Sequence, residues 1–71
     1  MRYRSVDRLT EEDLGQRVTV RRRLPEGGST DVLGILEDLS ESEVSVRDKH
    51  GETVRILRSQ IVASRVIRKP A

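Results

Sequence analysis

The sequence has no cysteine, no tryptophan and no phenylalanine, and its only aromatic residue is Tyr3. Without cysteine, disulfides and thiolate metal sites are excluded. The single histidine, His50, leaves at best a carboxylate-dominated metal site, and no acidic cluster has metal-loop spacing. No apolar run approaches the ~18 residues of a membrane span, and no apolar stretch follows Met1–Ser5 as a signal peptide requires. We therefore expect a cytoplasmic protein with no membrane partner.

The shortage of aromatic side chains also limits what the chain can bind. Recognition of proline-rich peptides needs an aromatic-lined groove, and recognition of methyl-lysine needs an aromatic cage. Tyr3 alone builds neither, so both functions are excluded for this sequence.

The residues that are present predict one small domain with an aliphatic core. A length of 71 residues suits a single domain. The net charge is +2, but it is unevenly distributed. Residues 1–23 hold seven arginines and four acids, residues 26–43 hold six acids and no base, and residues 44–71 hold seven bases and two acids. This order of basic, acidic and basic segments indicates one positive and one negative patch.

A helical turn is predicted near the start of the chain. Thr10 suits the position that caps the first turn, and Asp13, three residues later, suits the return bond of a capping box. Leu9 and Leu14 occupy the positions of a hydrophobic staple, and Gly15 offers a left-handed stop.

Alternation of apolar and polar residues then predicts five short strands, with a bulge or bend at Gly34 in the second. Arg22 interrupts the inward face of the first strand, which indicates a splayed end, and Arg58–Gln60 looks like a connector of one 3-10 turn. The predicted strands are Arg17–Leu24, Asp31–Leu39, Glu43–Arg47, Glu52–Leu57 and Ile61–Arg68.

This order of elements is typical of an all-β fold, a small five-stranded SH3-like barrel with one short N-terminal helical turn. An Sm-like ring subunit follows a similar five-strand path and stays open as a rival architecture. We divide the chain into a loose N-terminal segment (residues 1–8), the barrel domain (residues 9–68) and the start of a linker or tail (residues 69–71).

No catalytic, cofactor-binding or metal-binding residue is predicted, so we expect no enzyme within this chain. His50 lies near Asp48, but both belong to a hairpin turn that ends at Gly51, where a cleft is not expected. Gly27 and Gly28 lack the lysine, the hydroxyl residue and the helix that form a phosphate-binding loop.

The arginines are the best candidates for a binding surface, because inward-facing valines on their strands place them on the outer face. The possible phosphate or partner contacts are Arg21, Arg23, Arg47 and Arg55. A solvated face also explains the same residues, and it is the more common state of charged strand faces, with cross-strand pairing to acids such as Glu37, Glu43 or Glu52.

Two segments resemble a known family. They are the run Gly15–Gly34, whose most specific part is the Arg-Leu-Pro-x-Gly-Gly-x-x-Asp-Val-Leu-Gly motif at Arg23–Gly34, and the weaker run Arg58–Ser64. Together they resemble the SH3-like N-terminal domain of actinobacterial GNAT-type N-acetyltransferases, over most of Asp13–Arg68.

The resemblance implies a role and no site residue. In that family a separate, larger GNAT domain follows and binds acetyl-CoA through a loop that opens a helix, whereas residues 23–28 have the wrong spacing and lead into a strand. The first hypothesis is thus a non-catalytic accessory domain for domain docking or substrate positioning, whose partner is the C-terminal acetyltransferase domain in cis or another protein. The alternative is a stand-alone nucleic-acid-binding barrel, of SH3 or Sm-like type, that uses a basic strand face.

Overall fold

The computed structural model describes the backbone of residues 2–6 and 8–68 and the side chains of residues 8–67. Within these residues the chain forms six strands and two 3-10 turns. They are β1 (Arg2–Val6), a first 3-10 turn (Glu11–Asp13), β2 (Arg17–Arg23), β3 (Ser29–Leu39), β4 (Glu43–Arg47), β5 (Thr53–Leu57), a second 3-10 turn (Arg58–Gln60) and β6 (Ile61–Arg68). The prediction of a small all-β barrel with one short N-terminal helical turn is confirmed, although the sheet has six described strands instead of the five predicted.

All strands belong to one antiparallel sheet in the order β1-β6-β2-β3-β4-β5. The chain reversal after β5 thus brings β6 back beside β2, which is the connection that curls a small sheet around its core. The register places Arg17 of β2 opposite Ile35 of β3, and Ile35 opposite Arg47 of β4. These three residues therefore form one row across the outer face.

The core is aliphatic, as the composition predicted. The alternation in β2 and β4 buries Val18 and Val20, and Val44 and Val46, against each other. Each fully buried aliphatic side chain contributes roughly 1.5–3 kcal/mol. Among residues 8–67, the buried hydrophobic side chains are Leu9, Val18, Val20, Leu36, Val44, Val46, Ile56 and Val66.

The first 3-10 turn confirms the predicted capping box but not the predicted hydrophobic staple. The carboxylate of Asp13 accepts a hydrogen bond from the backbone N–H of Thr10 at 2.9 Å, which is the return bond of the capping box. The hydrophobic staple does not form, because Leu9 is buried in the core while Leu14 is 40% exposed. The reason is that the turn is a short 3-10 element, so Leu9 serves the barrel core instead of pairing with Leu14.

The predicted bend in the second predicted strand is explained by backbone packing at Gly34. A Cβ atom at Gly34 would lie 2.0 Å from the carbonyl oxygen of Arg47, so β4 crosses β3 at a place that only glycine permits. The β3–β4 pairing also shifts register between Leu36 and Asp38. A close crossing followed by a bulge is how a small sheet turns a corner.

Strand β1 differs from the loose segment predicted for residues 1–8. Its backbone pairs with β6 from Arg2 opposite Arg68 to Val6 opposite Ser64. Edge pairing uses backbone groups, which the side-chain pattern of a short polar segment does not reveal. Residues 69–71, where we predicted a linker or tail, lie outside the described residues.

Candidate functional site

Arg21 on β2 lies opposite Asp31 on β3 and is engaged by it. The Nε of Arg21 donates to Oδ1 of Asp31 at 2.9 Å. This hydrogen bond, helped by the positive charges of Arg21 and Arg65, holds the pKa of Asp31 below its ordinary value. The same pair raises the pKa of Arg21. The Arg21 guanidinium is thus partly neutralised on the surface, and a phosphate at this place competes with Asp31.

Arg47 on β4 is engaged in the same way, by Glu37 of β3. Its Nε donates to one carboxylate oxygen of Glu37, and the hydroxyl of Thr53 on β5 donates to the other oxygen at 3.4 Å. This is the cross-strand pairing that the sequence left open for Arg47. For Arg21 the partner is Asp31, which faces it directly in the β2–β3 register but was not among the acids considered.

The four arginines predicted as phosphate or partner contacts are not brought into one cluster. Arg21 and Arg23 lie on β2, Arg47 and Arg55 lie on the β4–β5 hairpin, and β3 runs between them. Arg23 is exposed at the end of β2, while Arg55 lines a cleft with acidic neighbours, Asp38 and Glu43. Whether any of the four contacts a phosphate stays a prediction.

A groove of about 530 Å³ opens on the outer face where β3 meets the β4–β5 hairpin. Its floor is aliphatic: Leu33 is 58% exposed and Ile35 is 38% exposed, with Gly34 between them. One side is Arg17 of β2, and the other is the hairpin segment 47–50. A floor of exposed aliphatic side chains with a charged rim is the usual composition of a binding surface.

The hairpin side of the groove is held by Asp48. One oxygen of its carboxylate accepts hydrogen bonds from the backbone N–H groups of His50, at 2.8 Å, and Glu52, at 3.0 Å. Gly51 completes the turn with a positive φ of 81°. Because its carboxylate accepts these two bonds, Asp48 fixes the hairpin at the groove, where His50 is one of the lining residues.

Arg58 in the second 3-10 turn anchors the other end of the barrel. Its Nε donates to the carbonyl oxygen of Ser40 at 2.7 Å, and its Nη1 donates to that of Leu9 at 2.9 Å. Burial, together with the positive charge of Arg8, lowers the pKa of Arg58. This arginine therefore ties the β3–β4 turn and the first core residue to the segment that leads into β6.

Arg22 confirms the predicted disturbance at the end of β2. The β2–β6 pairing shifts register between Arg21 and Arg22. In the part of the chain with described side chains, the buried Nε of Arg22 makes no hydrogen bond.

Among residues 8–67, no three or more histidine or acidic side chains are grouped so that they hold a metal ion. None of the helical segments that the structure describes has the length and apolarity to cross a membrane.

This geometry defines a small barrel domain with a groove on its outer face. A family model described as the Rv0428c N-terminal Sm-like domain matches residues 12–65, which is most of the barrel. The chain belongs to this family. The match favours the Sm-like path between the two architectures that the sequence left open. Comparisons with curated proteins and with solved structures gave no significant match.

The groove was missed by the sequence analysis, although a signal was present. In β3, Val32 and Leu36 alternate with Leu33 and Ile35, so both faces of one strand carry aliphatic side chains. A strand with only one buried face leaves the other polar. The second aliphatic face therefore indicated a surface that something covers.

Proposed function

We propose that this domain is a non-catalytic accessory module of a GNAT-type N-acetyltransferase, which docks the catalytic domain or positions its substrate. The observation that carries the proposal is the groove over Leu33, Gly34 and Ile35. The motif Arg23–Gly34, which resembles the acetyltransferase family, ends on the floor of this groove. The matched family is also described as an N-terminal domain, which fits a module placed ahead of another one.

The electrostatics favour a protein partner over a nucleic acid. Arg21 and Arg47, two of the arginines considered for phosphate contact, already pair with Asp31 and Glu37. Binding a phosphate backbone requires cations that replace its counterions. An arginine that is already paired with a carboxylate must first break that ion pair. A partner that binds to the aliphatic floor of the groove does not require either ion pair to break.

The sheet order favours a module that acts as one copy. In a ring of Sm-like subunits, the last strand pairs with the edge of a neighbour. Here β6 pairs with β2 on one side and with β1 on the other. Both hydrogen-bonding edges of β6 are thus used within the chain, so a ring closed through this last strand would first have to displace β1.

Calorimetry and hydrogen exchange test the proposal. Acetyl-CoA titrated into residues 1–71 should give no binding, because that site belongs to the catalytic domain; micromolar binding would contradict the proposal. In the natural acetyltransferase, amide exchange at residues 33–35 and 47–50 should be slower than in residues 1–71 alone. Equal exchange in the two proteins would exclude docking through the groove.

Nucleic-acid binding is the second candidate. It is favoured by Arg23 and Arg17, which are exposed on β2 and, among the described residues, lie in no salt bridge. Fluorescence polarisation with short RNA and DNA at ~50 mM salt tests it, since phosphate contacts are strongest at low salt. Binding that weakens steeply with salt and with Arg23→Ala supports this candidate, and no binding removes it.

A further inference from the structure

The rim of the groove carries an excess of positive charge. Its charged lining residues are Arg17, Arg47, Lys49 and Asp48, so three cations face one acid and the lining holds a net +2. Arg47 is balanced by Glu37, which reduces the local excess to +1. Among the described residues, neither Arg17 nor Lys49 has an acidic partner within salt-bridge distance.

Arg17 and Lys49 stand on opposite sides of the aliphatic floor. Arg17 belongs to β2, where it lies opposite Ile35 in the register. Lys49 belongs to the β4–β5 turn, which Asp48 holds in place through the backbone of His50. A ligand seated on Leu33 and Ile35 therefore meets a positive charge on either side.

We propose that the groove binds an extended segment of a partner protein in which acidic side chains alternate with aliphatic ones. The aliphatic side chains would cover Leu33 and Ile35, and the acidic ones would meet Arg17 and Lys49. In an extended segment successive side chains point to opposite faces, so the aliphatic side chains of an alternating segment face the floor together. The acidic ones lie on its outer face, where the long side chains of Arg17 and Lys49 would meet them from the two sides of the groove.

Charge and chemistry argue against the other occupants. A second copy that docks through the same groove would bring an equally positive rim against this one, and like charges across an interface are unfavourable. A nucleic acid meets aliphatic side chains at the floor, where a base needs an aromatic platform for stacking. A segment with acidic and aliphatic side chains matches both parts of the groove, since it can cover the aliphatic floor and pair with the positive rim.

This inference rests on the docking part of the proposed function and is independent of the acetyltransferase part. The two fail separately, because the test uses residues 1–71 alone and a synthetic peptide. An absent acetyltransferase domain would leave the peptide result unchanged, and an absent peptide response would leave the natural protein's domain content unchanged.

The test is a titration followed by backbone amide chemical shifts in NMR. The probe is a capped octapeptide of alternating leucine and glutamate, compared with peptides of alternating leucine and lysine and of alternating serine and glutamate. We expect shifts confined to Arg17, residues 33–35 and residues 48–50, seen with the leucine–glutamate peptide and weakened by added salt.

Single substitutions measure the contributions of the floor and of the rim to binding separately. Leu33→Ser should weaken binding about tenfold, the loss expected on removing one buried leucine. Its matched control, Leu57→Ser, changes an aliphatic residue on β5 that is 45% exposed and outside the groove, and should leave binding unchanged. Lys49→Glu should weaken binding of the leucine–glutamate peptide and strengthen that of the leucine–lysine peptide, while Arg23→Glu, at the far end of β2, should do neither.

Three results would overturn the inference. One is no response to the leucine–glutamate peptide at millimolar concentration. Another is an equal response to the leucine–lysine or serine–glutamate peptide, which would remove the role of charge or of the aliphatic floor. The third is a shift pattern centred outside the groove or a response that Leu57→Ser reduces as much as Leu33→Ser does.

Discussion

The carbonyl oxygen of Arg47 lies directly over Gly34, at 2.0 Å from where a Cβ atom on that glycine would stand. This approach lets β4 cross β3 at the point where the sheet bends. It also sets the hairpin segment 48–50 beside Leu33 and Ile35, so the same close contact that closes the barrel forms the groove.

Gly34→Ala should therefore destabilise the domain strongly. The added Cβ meets backbone atoms, which cannot rotate away, and overpacking of this kind costs about 3 kcal/mol. Chemical denaturation measures the loss. Gly27→Ala serves as the control, because Gly27 has a positive φ of 102° but open space around it, so its cost should be limited to roughly 1 kcal/mol of backbone strain. Equal stability of Gly34→Ala and wild type would contradict the close crossing.

Leu9 and Leu14 should respond differently to the same substitution. Leu9→Ala removes a fully buried core side chain and should cost about 3 kcal/mol. Leu14→Ala changes a side chain that is 40% exposed, and it should change the free energy of unfolding by less than about 1 kcal/mol. Urea denaturation of both variants checks this. Equal losses in the free energy of unfolding would instead support the predicted hydrophobic staple between Leu9 and Leu14.

The sequence predicted the aliphatic core and five of the six described strands because both depend on local alternation. Val18 and Val20, like Val44 and Val46, repeat with the period of a strand. A glycine inside a strand pattern, here Gly34, indicates a bend from the sequence alone. It did not predict β1, whose pairing with β6 uses backbone groups, nor the exposure of Leu14, which depends on where the 3-10 turn sits against the barrel.

Asp31 should make the stability of the domain depend on acidity. Arg21 lowers the pKa of Asp31 in the folded state below the ordinary value of 3.8. A carboxylate with a depressed folded pKa stabilises above its unfolded pKa, and this contribution is lost as the pH falls through the folded pKa. Asp31→Asn should therefore lower the urea midpoint near neutral pH, with a difference from wild type that shrinks below pH 3.8.

The control for this titration is Glu26→Gln. Glu26 is an exposed carboxylate in the β2–β3 turn that, in the part of the chain described, forms no ion pair. Its removal should leave the urea midpoint near neutral pH close to that of wild type, as expected for a surface substitution. An Asp31→Asn difference that is constant from about pH 6 to about pH 2 would show that the ion pair contributes nothing.

Strand β1 should keep the domain monomeric. Light scattering of the whole chain should give a mass near 8.1 kDa. Removal of residues 1–6 frees one edge of β6, and a free edge is a template for pairing with another chain. The shortened chain should therefore associate as its concentration rises, whereas removal of residues 69–71 should not cause association. A shortened chain that stays monomeric would contradict a role for β1 in covering β6.

The candidate site was less predictable than the fold because it combines distant residues. Arg17, Leu33 and Lys49 belong to three different elements, and only the β2–β3–β4 register and the crossing at Gly34 bring them together. The exposure of Arg21 and Arg47 was predicted from alternation, but their neutralisation depends on Asp31 and Glu37, each ten residues away in sequence.

The intact mass of the natural gene product, purified from its own cell, tests the central claim most directly. If the domain is an accessory module of an acetyltransferase, the mass should be several times that of these residues. Fragment sequences should then place a GNAT domain after residue 71. A mass of 8.1 kDa would contradict the claim, because the domain would then act without an attached enzyme.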